Sequence, residues 1–246
     1  MFKSVKMFLG GVYFTYFKKV YKNGGLIIHI PFDQTDYIFR GRFVFNSYEE
    51  EEARHLSKHL QPASKVLELG ACLGYVSCLT NNLLNDNTQH VVLEANPKLM
   101  PWIVRNKKEN SCGFHIENVI ISRNRGNDFY VHDLIVGGSS KRTTAQKITV
   151  KGTDFAHLSS KYGIEFDTLI MDIEGGELDL LRNFKNDIAK FGQIFIELHP
   201  FANILTEEEA QECEVILSSL DFEIIARDGN FQIWKKEIST NRPTGH

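Results

Sequence analysis

The chain predicts an α/β fold, a single mostly parallel sheet with helices on both faces. Three observations carry that prediction. Short apolar runs recur near 66–69, 91–93, 168–171 and 193–198. Segments with helical apolar spacing separate them, and such alternation builds a parallel sheet covered on both sides. The first run ends in Gly70, after which Leu73, Val76 and Leu79 recur at helical spacing, so a buried strand turns sharply into a helix.

Taken in order, residues 1–21 are rich in aromatics, with lysines at 3, 6, 18 and 19. The lysine-free run 7–17 is 11 residues, whereas a membrane span needs roughly 20. No small-residue cleavage site follows it. This segment reads as a helix packed on the core or on a second subunit, so a homo-oligomer is an open alternative. A further alternative is a peripheral membrane contact through residues 1–21, with lysines at the headgroups and Phe8, Phe14 and Phe17 inserted.

Residues 26–31 and 37–45 read as two short strands joined by a polar turn at 33–36. Ser47 is a good N-cap for a helix running to about His59, with acids at 49–52 in its first turn. Strands then fall near 65–70, 90–95, 114–121, 167–172, 193–198, 222–227 and 231–236. Helices fall near 74–84, 97–110, 154–162, 176–187 and 206–219. Asp228-Gly229-Asn230 alone joins the last two strands, which makes them an antiparallel hairpin. Residues 122–152 break the alternation, with extra strands at 129–131 and 148–150. The polar, glycine-rich 137–144 between them reads as a mobile lid over a substrate, with a plain surface excursion as the alternative. The expected layout is a packed N-terminal region at 1–60, a cofactor-binding domain at 61–238 and a flexible tail at 239–246.

Composition bounds the function. The 246 residues suffice for one large α/β domain, and 42% hydrophobic with 24% charged is ordinary for a globular protein. A net charge of −3 gives no reason to expect a nucleic-acid partner. Cys72, Cys78, Cys112 and Cys213 form no Cys-x-x-Cys pair and are too few for a disulfide framework. A reducing cytoplasm fits them.

The turn after the first core strand narrows the cofactor. Dinucleotide sites usually place a middle glycine where the backbone approaches pyrophosphate. Here Gly70 and Gly74 flank Cys72 at that place. Glu68, just before the turn, is unwelcome near a pyrophosphate but suits a ligand with a positive end. S-adenosylmethionine has an ammonium, a sulfonium and no phosphate. Glu94 ends the next apolar run, 24 residues after Gly70, about the distance at which an acid binds a ribose diol in such folds. A second stretch, 166–177, delivers Asp172, Glu174 and Glu177 to a strand end, with Gly175 and Gly176 opening the next helix. The strand at 193–198 ends in Glu197-Leu198-His199-Pro200, where proline stops the ladder. Acids this dense at one sheet edge repel one another unless a cation or a donor sits between them.

These blocks resemble the FkbM family of S-adenosylmethionine-dependent methyltransferases. The resemblance rests on 66–74, Glu94-Ala95-Asn96, the Asp-x-Glu-Gly-x-Glu block at 172–177 and Ile196-Glu197-Leu198-His199-Pro200, and it runs from about Val44 to Trp234. Family members often have Asp where Glu68 stands and Asn where Cys72 stands. The resemblance implies a Rossmann-like class I methyltransferase fold and O-methylation, often of sugars in glycans or of secondary metabolites. Together with the strand-end reading it assigns cofactor contacts to Glu68, Gly70, Ala71, Gly74, Tyr75, Glu94, Ala95, Asn96, Asn118 and Asp172.

Methyl transfer to a hydroxyl needs alignment and a base or a metal. Asp172, Glu174 and His199 are the catalytic candidates, His199 because histidine titrates near neutral pH. Asp172 and Glu174 could instead hold Mg²⁺, a hard cation that prefers oxygen. Blander readings stand beside these: Asp172 as a contact to the cofactor ammonium or a helix cap, Glu177 as support for a first helical turn, His199 as a structural residue. Two competing functions share the fold. An NAD-linked oxidoreductase is disfavoured by Cys72 and Glu68. A non-catalytic binding module would have lost the strand-end acids, which are all present.

Overall fold

The computed structural model describes residues 2–131, 146–200 and 204–237. It opens with α1 (Phe2–Tyr13), continued by a π-helical turn (Phe14–Lys18), then β1 (Tyr21–Asn23), β2 (Leu26–Ile28), α2 (Tyr37–Val44) and α3 (Glu50–His59). Next come β3 (Val66–Leu69), α4 (Tyr75–Leu83), β4 (His90–Leu93), α5 (Met100–Glu109), β5 (His115–Glu117), β6 (Val119–Ile121), β7 (Gly126–Val131) and β8 (Gln146–Thr153). The chain ends with α6 (Phe155–Tyr162), β9 (Thr168–Met171), α7 (Glu177–Asn183), α8 (Lys185–Ile188), β10 (Gln193–Glu197), α9 (Glu207–Ser219), β11 (Phe222–Asp228) and β12 (Phe231–Lys236).

Seven strands form the main sheet in the order β11-β12-β10-β9-β3-β4-β5. β5, β4, β3, β9 and β10 run parallel, whereas β12 is antiparallel to both β10 and β11. The mostly parallel sheet with an antiparallel C-terminal hairpin is therefore as the sequence predicts. β3, β4 and β9 are buried along their whole length, which requires a layer on each face. Strand alternation divides the side chains between the layers. Leu67, Leu69, Val91, Leu93, Leu169 and Met171 join the core that contains Phe155, Leu178, Leu181 and Leu217 of α6, α7 and α9. On the other face Val92 packs with Cys78 of α4 and Ile103 of α5, and also with Phe14, Tyr21, Phe39 and Phe43. The N-terminal segment thus shares a core with the sheet.

Several local expectations change. Residues 37–45 form a helix, not a strand. Asp36 caps it by accepting the Phe39 N–H at 2.7 Å, and close packing on α1 holds it. A Cβ on Gly41 would lie 2.0 Å from the Met7 carbonyl oxygen, and one on Gly11 would lie 1.7 Å from that of Tyr37. That backbone contact overrides the aromatic strand propensity. Ser47 does not cap the next helix, because α3 starts at Glu50 behind Glu49 at φ +50°. The strand expected at 114–121 splits at Asn118, whose amide donates to the carbonyls of Glu94 and Ala95 at 2.7 and 3.0 Å. β5 stays in the main sheet, while β6 enters a three-stranded sheet ordered β6-β8-β7. The helix expected at 176–187 is broken into α7 and α8 at Phe184. The glycine-rich stretch 137–144 and the tail 239–246 lie outside the described residues.

Candidate active site

The ends of β3, β4 and β9 are locked side by side. The Gly70 N–H donates to Leu93 at 2.9 Å and the Asp172 N–H to Leu69 at 3.0 Å. Gly70, at φ +90°, is required by this approach, since a Cβ would lie 1.7 Å from the Asp172 carbonyl oxygen. Beyond these ends opens a cavity of about 680 Å³, where a parallel sheet normally receives its ligand. Gly70, Cys72, Glu94, Ala95 and Asn96 line one side of it. Asp172, Glu174, Glu197 and His199 line another, and Phe39, Arg42, Tyr48 and Glu49 form a wall from the N-terminal segment. Residues 119–124 and 127–129 complete it on the side of the small sheet.

Glu94 is 6% exposed, yet its carboxylate is well partnered. It accepts the Cys72 N–H at 2.8 Å and the Asn96 N–H at 2.7 Å. Burial lifts it to about 7, against the opposing pull of backbone N–H groups. Those bonds tie the glycine turn to the end of β4. Asn118 holds the end of β4 through its two contacts to the Glu94 and Ala95 carbonyls and does not line the cavity.

Not every expected residue reaches the cavity. Glu68 points to the α4 face, fully buried, where it accepts a hydrogen bond from the Ser77 hydroxyl and meets His90 Nε2 at 3.0 Å. It braces the strand against the helix, which corrects the expectation that it faces a positive ligand end. Strand alternation is the reason: its neighbours Leu67 and Leu69 take the opposite face. Tyr75 packs among the aromatic rings of Tyr21 and Tyr48, at 5.8 Å from each, and also stays out of the cavity. Gly74 caps α4 at φ +74° and faces Ile103. Ala71 lines a separate cleft of about 20 Å³ beside Tyr48 and Glu49.

Around His199 the acids converge. Its Nε2 lies 3.5 Å from Asp172 Oδ1 and 3.6 Å from Glu197, and its Nδ1 lies 3.6 Å from Glu177. Burial alone would lower the imidazole, but Glu177, Asp172, Glu197 and Glu174 outweigh it and raise it to about 10. His199 is therefore a cation at neutral pH, which corrects the expectation that it titrates there as a free base. Burial first, then the neighbouring acids, lift Asp172 to about 7 and Glu197 to about 9. Glu49 is pushed well above its usual range by burial and by Glu52, Asp172 and Glu197. Glu177 is fully buried, and its Oε1 accepts a long 3.4 Å bond from the Ile173 N–H. It thus supports the 172–177 turn and His199, a wider part than the first turn of α7.

Asp172, Glu174 and His199 each offer a ligand atom within 4.8 Å of the others. Ligation requires a neutral imidazole, and the surrounding carboxylates hold its proton. A cation entering here would displace that proton, and two carboxylates with one imidazole within this reach form a donor set able to take a divalent ion.

Sequence reasoning missed Tyr48, Glu49 and Arg42 as cavity residues and gave Glu197 no role. Glu49, Cys72 and Glu174 all line the cavity with φ near +50°. Left-handed non-glycine residues cost free energy and gather at functional sites, but one sequence carries no sign of them. The signal for Glu197 was present, since it ends the same strand that delivers His199.

Residues 68–224, well over half the chain, match the family model described as the methyltransferase FkbM domain. Among curated proteins none matches the chain. Similar solved structures include a precorrin-6y C5,15-methyltransferase from Geobacter metallireducens GS-15, at 15% identity, covering 78% of this chain and 89% of its own, with a TM-score of 0.49. An O-methyltransferase from Bacillus cereus in complex with SAH has 11% identity, 77% and 82% coverage and a TM-score of 0.48. A protein in the NADB-Rossmann superfamily from Streptococcus agalactiae has 11% identity, 76% and 68% coverage and a TM-score of 0.48.

Proposed function

Since the chain belongs to the FkbM methyltransferase family, we propose that it transfers a methyl group from S-adenosylmethionine to a hydroxyl of a small molecule or glycan, with sugars favoured. The observation that carries this reading is the placing of Glu94 and Asp172 at the ends of β4 and β9, the two strands that flank β3, on one cavity of about 680 Å³. That volume lies within the roughly 300–1,000 Å³ of small-molecule sites.

The lining fits the cofactor. Asp172 Oδ1 is buried without a hydrogen-bond partner, in a basin of acids that suits a ligand carrying an ammonium and a sulfonium. Cys72, standing where a dinucleotide site has its middle glycine, weighs against NAD. Glu94 would hold the ribose diol, with the backbone of Gly70, Cys72, Ala95 and Asn96 beside it. When bound, S-adenosylmethionine supplies a methyl group on sulfonium, open to in-line displacement.

The chain's own residues then have separate tasks. Asp172 takes the proton of the acceptor hydroxyl at a carboxylate oxygen. His199, a cation 3.5 Å away, holds that carboxylate in place and favours its ionised form. Glu177 and Glu197 orient the imidazole from its two nitrogens. Glu174 shapes the turn that carries Asp172. Asn124, Asn127 and Asn183, with Phe39 and Tyr48, line the acceptor side. Amides on one wall and aromatic rings on another support a polyhydroxylated acceptor, which needs hydrogen bonds at its edge and apolar contact on its face.

Tritiated methyl transfer from S-adenosylmethionine to a panel of glycosides, simple alcohols and amines tests the reading. Incorporation into a hydroxyl acceptor, lost in Asp172→Asn, is expected. Transfer to amines alone would overturn the hydroxyl assignment.

A further inference from the structure

The N-terminal helix is apolar on both sides. Its inner side, with Gly10, Gly11 and Phe14, is buried against the α2 backbone and the aromatic core. Its outer side carries Val5, Leu9, Tyr13 and Phe17 at i, i+4 spacing, and these are 52%, 61%, 53% and 75% exposed. Phe8 and Tyr16 flank this stripe and are exposed too. The rings of Tyr13 and Phe17 stack on each other at 5.6 Å, in the open. An amphipathic helix that needed only its core contacts would carry polar residues here.

Charge selects the occupant. Residues 1–45 carry seven lysines and arginines against two acids, whereas the remaining residues carry 21 against 29. One of the two acids, Asp36, is spent capping α2. Lys3, Lys6 and Lys19 are exposed and Lys18 is half-buried; the Lys6 ammonium lies over the Phe45 ring at 4.3 Å, at the edge of α1 toward α2. The cations of an otherwise acidic chain are therefore gathered where its bare aromatics are. Among the described residues no helix is long and apolar enough to cross a membrane. A short helix with apolar, aromatic and lysine residues on one face lies in the plane of a lipid surface.

We infer that α1 and the π-helical turn after it form a docking face for anionic lipid bilayers, with the aromatics entering the headgroup boundary and the lysines meeting the lipid charge. The close glycine contacts make α1 and α2 one rigid pair, so α1 can press on a membrane without unfolding. α2 also supplies Phe39 and Arg42 to the cavity wall, so docking brings the cavity beside the lipid surface. The inference stands apart from the proposed reaction, because binding is read without turnover.

The test is co-sedimentation of the full chain with vesicles of phosphatidylcholine alone or with about one third phosphatidylserine, alongside light scattering for oligomeric state. The chain should pellet with the anionic vesicles, weakly with the neutral ones, and less at high salt. Lys3→Gln/Lys6→Gln/Lys19→Gln should weaken anionic binding roughly 100-fold, taking about fivefold per lysine near such a surface. Leu9→Ser/Phe17→Ser should abolish it while circular dichroism stays unchanged, since both side chains are exposed. No pelleting at low salt would overturn the inference. So would a wild-type dimer that Leu9→Ser/Phe17→Ser converts to a monomer, which would assign the face to a second copy of the chain.

Discussion

Replacing Glu94 probes two things that one carboxylate does. Its oxygens accept the N–H groups of Cys72 and Asn96 at 2.8 and 2.7 Å, and its place in the cavity lets it accept a ribose diol as well. A hydrogen bond to a charged group contributes about 1.5–3 kcal/mol. Losing one such bond to the cofactor should therefore weaken binding by roughly 10- to 150-fold. Glu94→Ala also orphans two buried N–H groups, at about 1–3 kcal/mol each in folding stability. Glu94→Gln keeps the shape but sets an amide NH₂ against one of those N–H groups, so it should also lose affinity. Calorimetric titration with S-adenosylhomocysteine measures the first effect, and urea unfolding of the same variants measures the second. Because burial lifts Glu94 to about 7, wild-type affinity should also fall as pH drops below about 7 and the carboxylate gains a proton. A folded Glu94→Ala that binds S-adenosylhomocysteine as tightly as wild type would remove Glu94 from the site. Unchanged stability would refute the account of how the turn is held.

Further outcomes follow from the acid cluster and the strand ends. Asp172→Asn should weaken binding of S-adenosylhomocysteine, whose ammonium loses a charged partner, and should also lose about 100-fold or more in methyl transfer at saturating cofactor, the scale for a lost general base; wild-type transfer should fall below pH about 7, where Asp172 takes up its proton. His199 is raised to about 10 and Glu197 to about 9 in the fold. The folded state therefore holds protons that the unfolded chain releases earlier, and stability should decline as pH rises from about 6.5 toward 9. Urea midpoints across that range check it, and His199→Gln should flatten part of the slope. Gly70→Ala should cost about 2–5 kcal/mol, since it combines a positive φ with a clash against the Asp172 carbonyl; a midpoint equal to wild type would contradict the close strand approach. If Asp172 acts alone as the base, EDTA should leave methyl transfer unchanged; a loss restored by Mg²⁺ would assign Asp172, Glu174 and His199 to a metal.

Much of the sheet was legible because its signals are local. Val66-Leu67 and Thr168–Met171 are apolar runs that end in glycine or acid, and the Asp228-Gly229-Asn230 turn announces an antiparallel pair. Which strand ends meet was legible for the same reason, so Glu94, Asp172 and His199 do converge on one cavity. Direction within a strand was harder. Glu68 precedes the turn by two residues, yet the pleat sends its side chain to Ser77 and His90. Residues 37–45 alternate like a strand and fold as a helix, because glycines at 11 and 41 let two backbones touch, a tertiary contact that no local pattern encodes. Tyr48 and Glu49 reach the cavity through a left-handed residue just before α3, where the sequence offered only a Ser47 cap. The charge of His199 depends on Glu177, Asp172, Glu197 and Glu174 surrounding it, which is again set by packing.

The central claim is that the cavity at the strand ends receives S-adenosylmethionine, and thermal unfolding of the full chain with added ligand tests it most directly. S-adenosylhomocysteine at about 100 times its Kd should stabilise the fold by about 2.7 kcal/mol. For a chain of this size that raises Tm by roughly 5–10 °C. The account predicts this rise with S-adenosylhomocysteine, a rise cut to about half or less in Glu94→Ala at the same ligand concentration, and none with NAD. A rise with NAD and none with S-adenosylhomocysteine would contradict it.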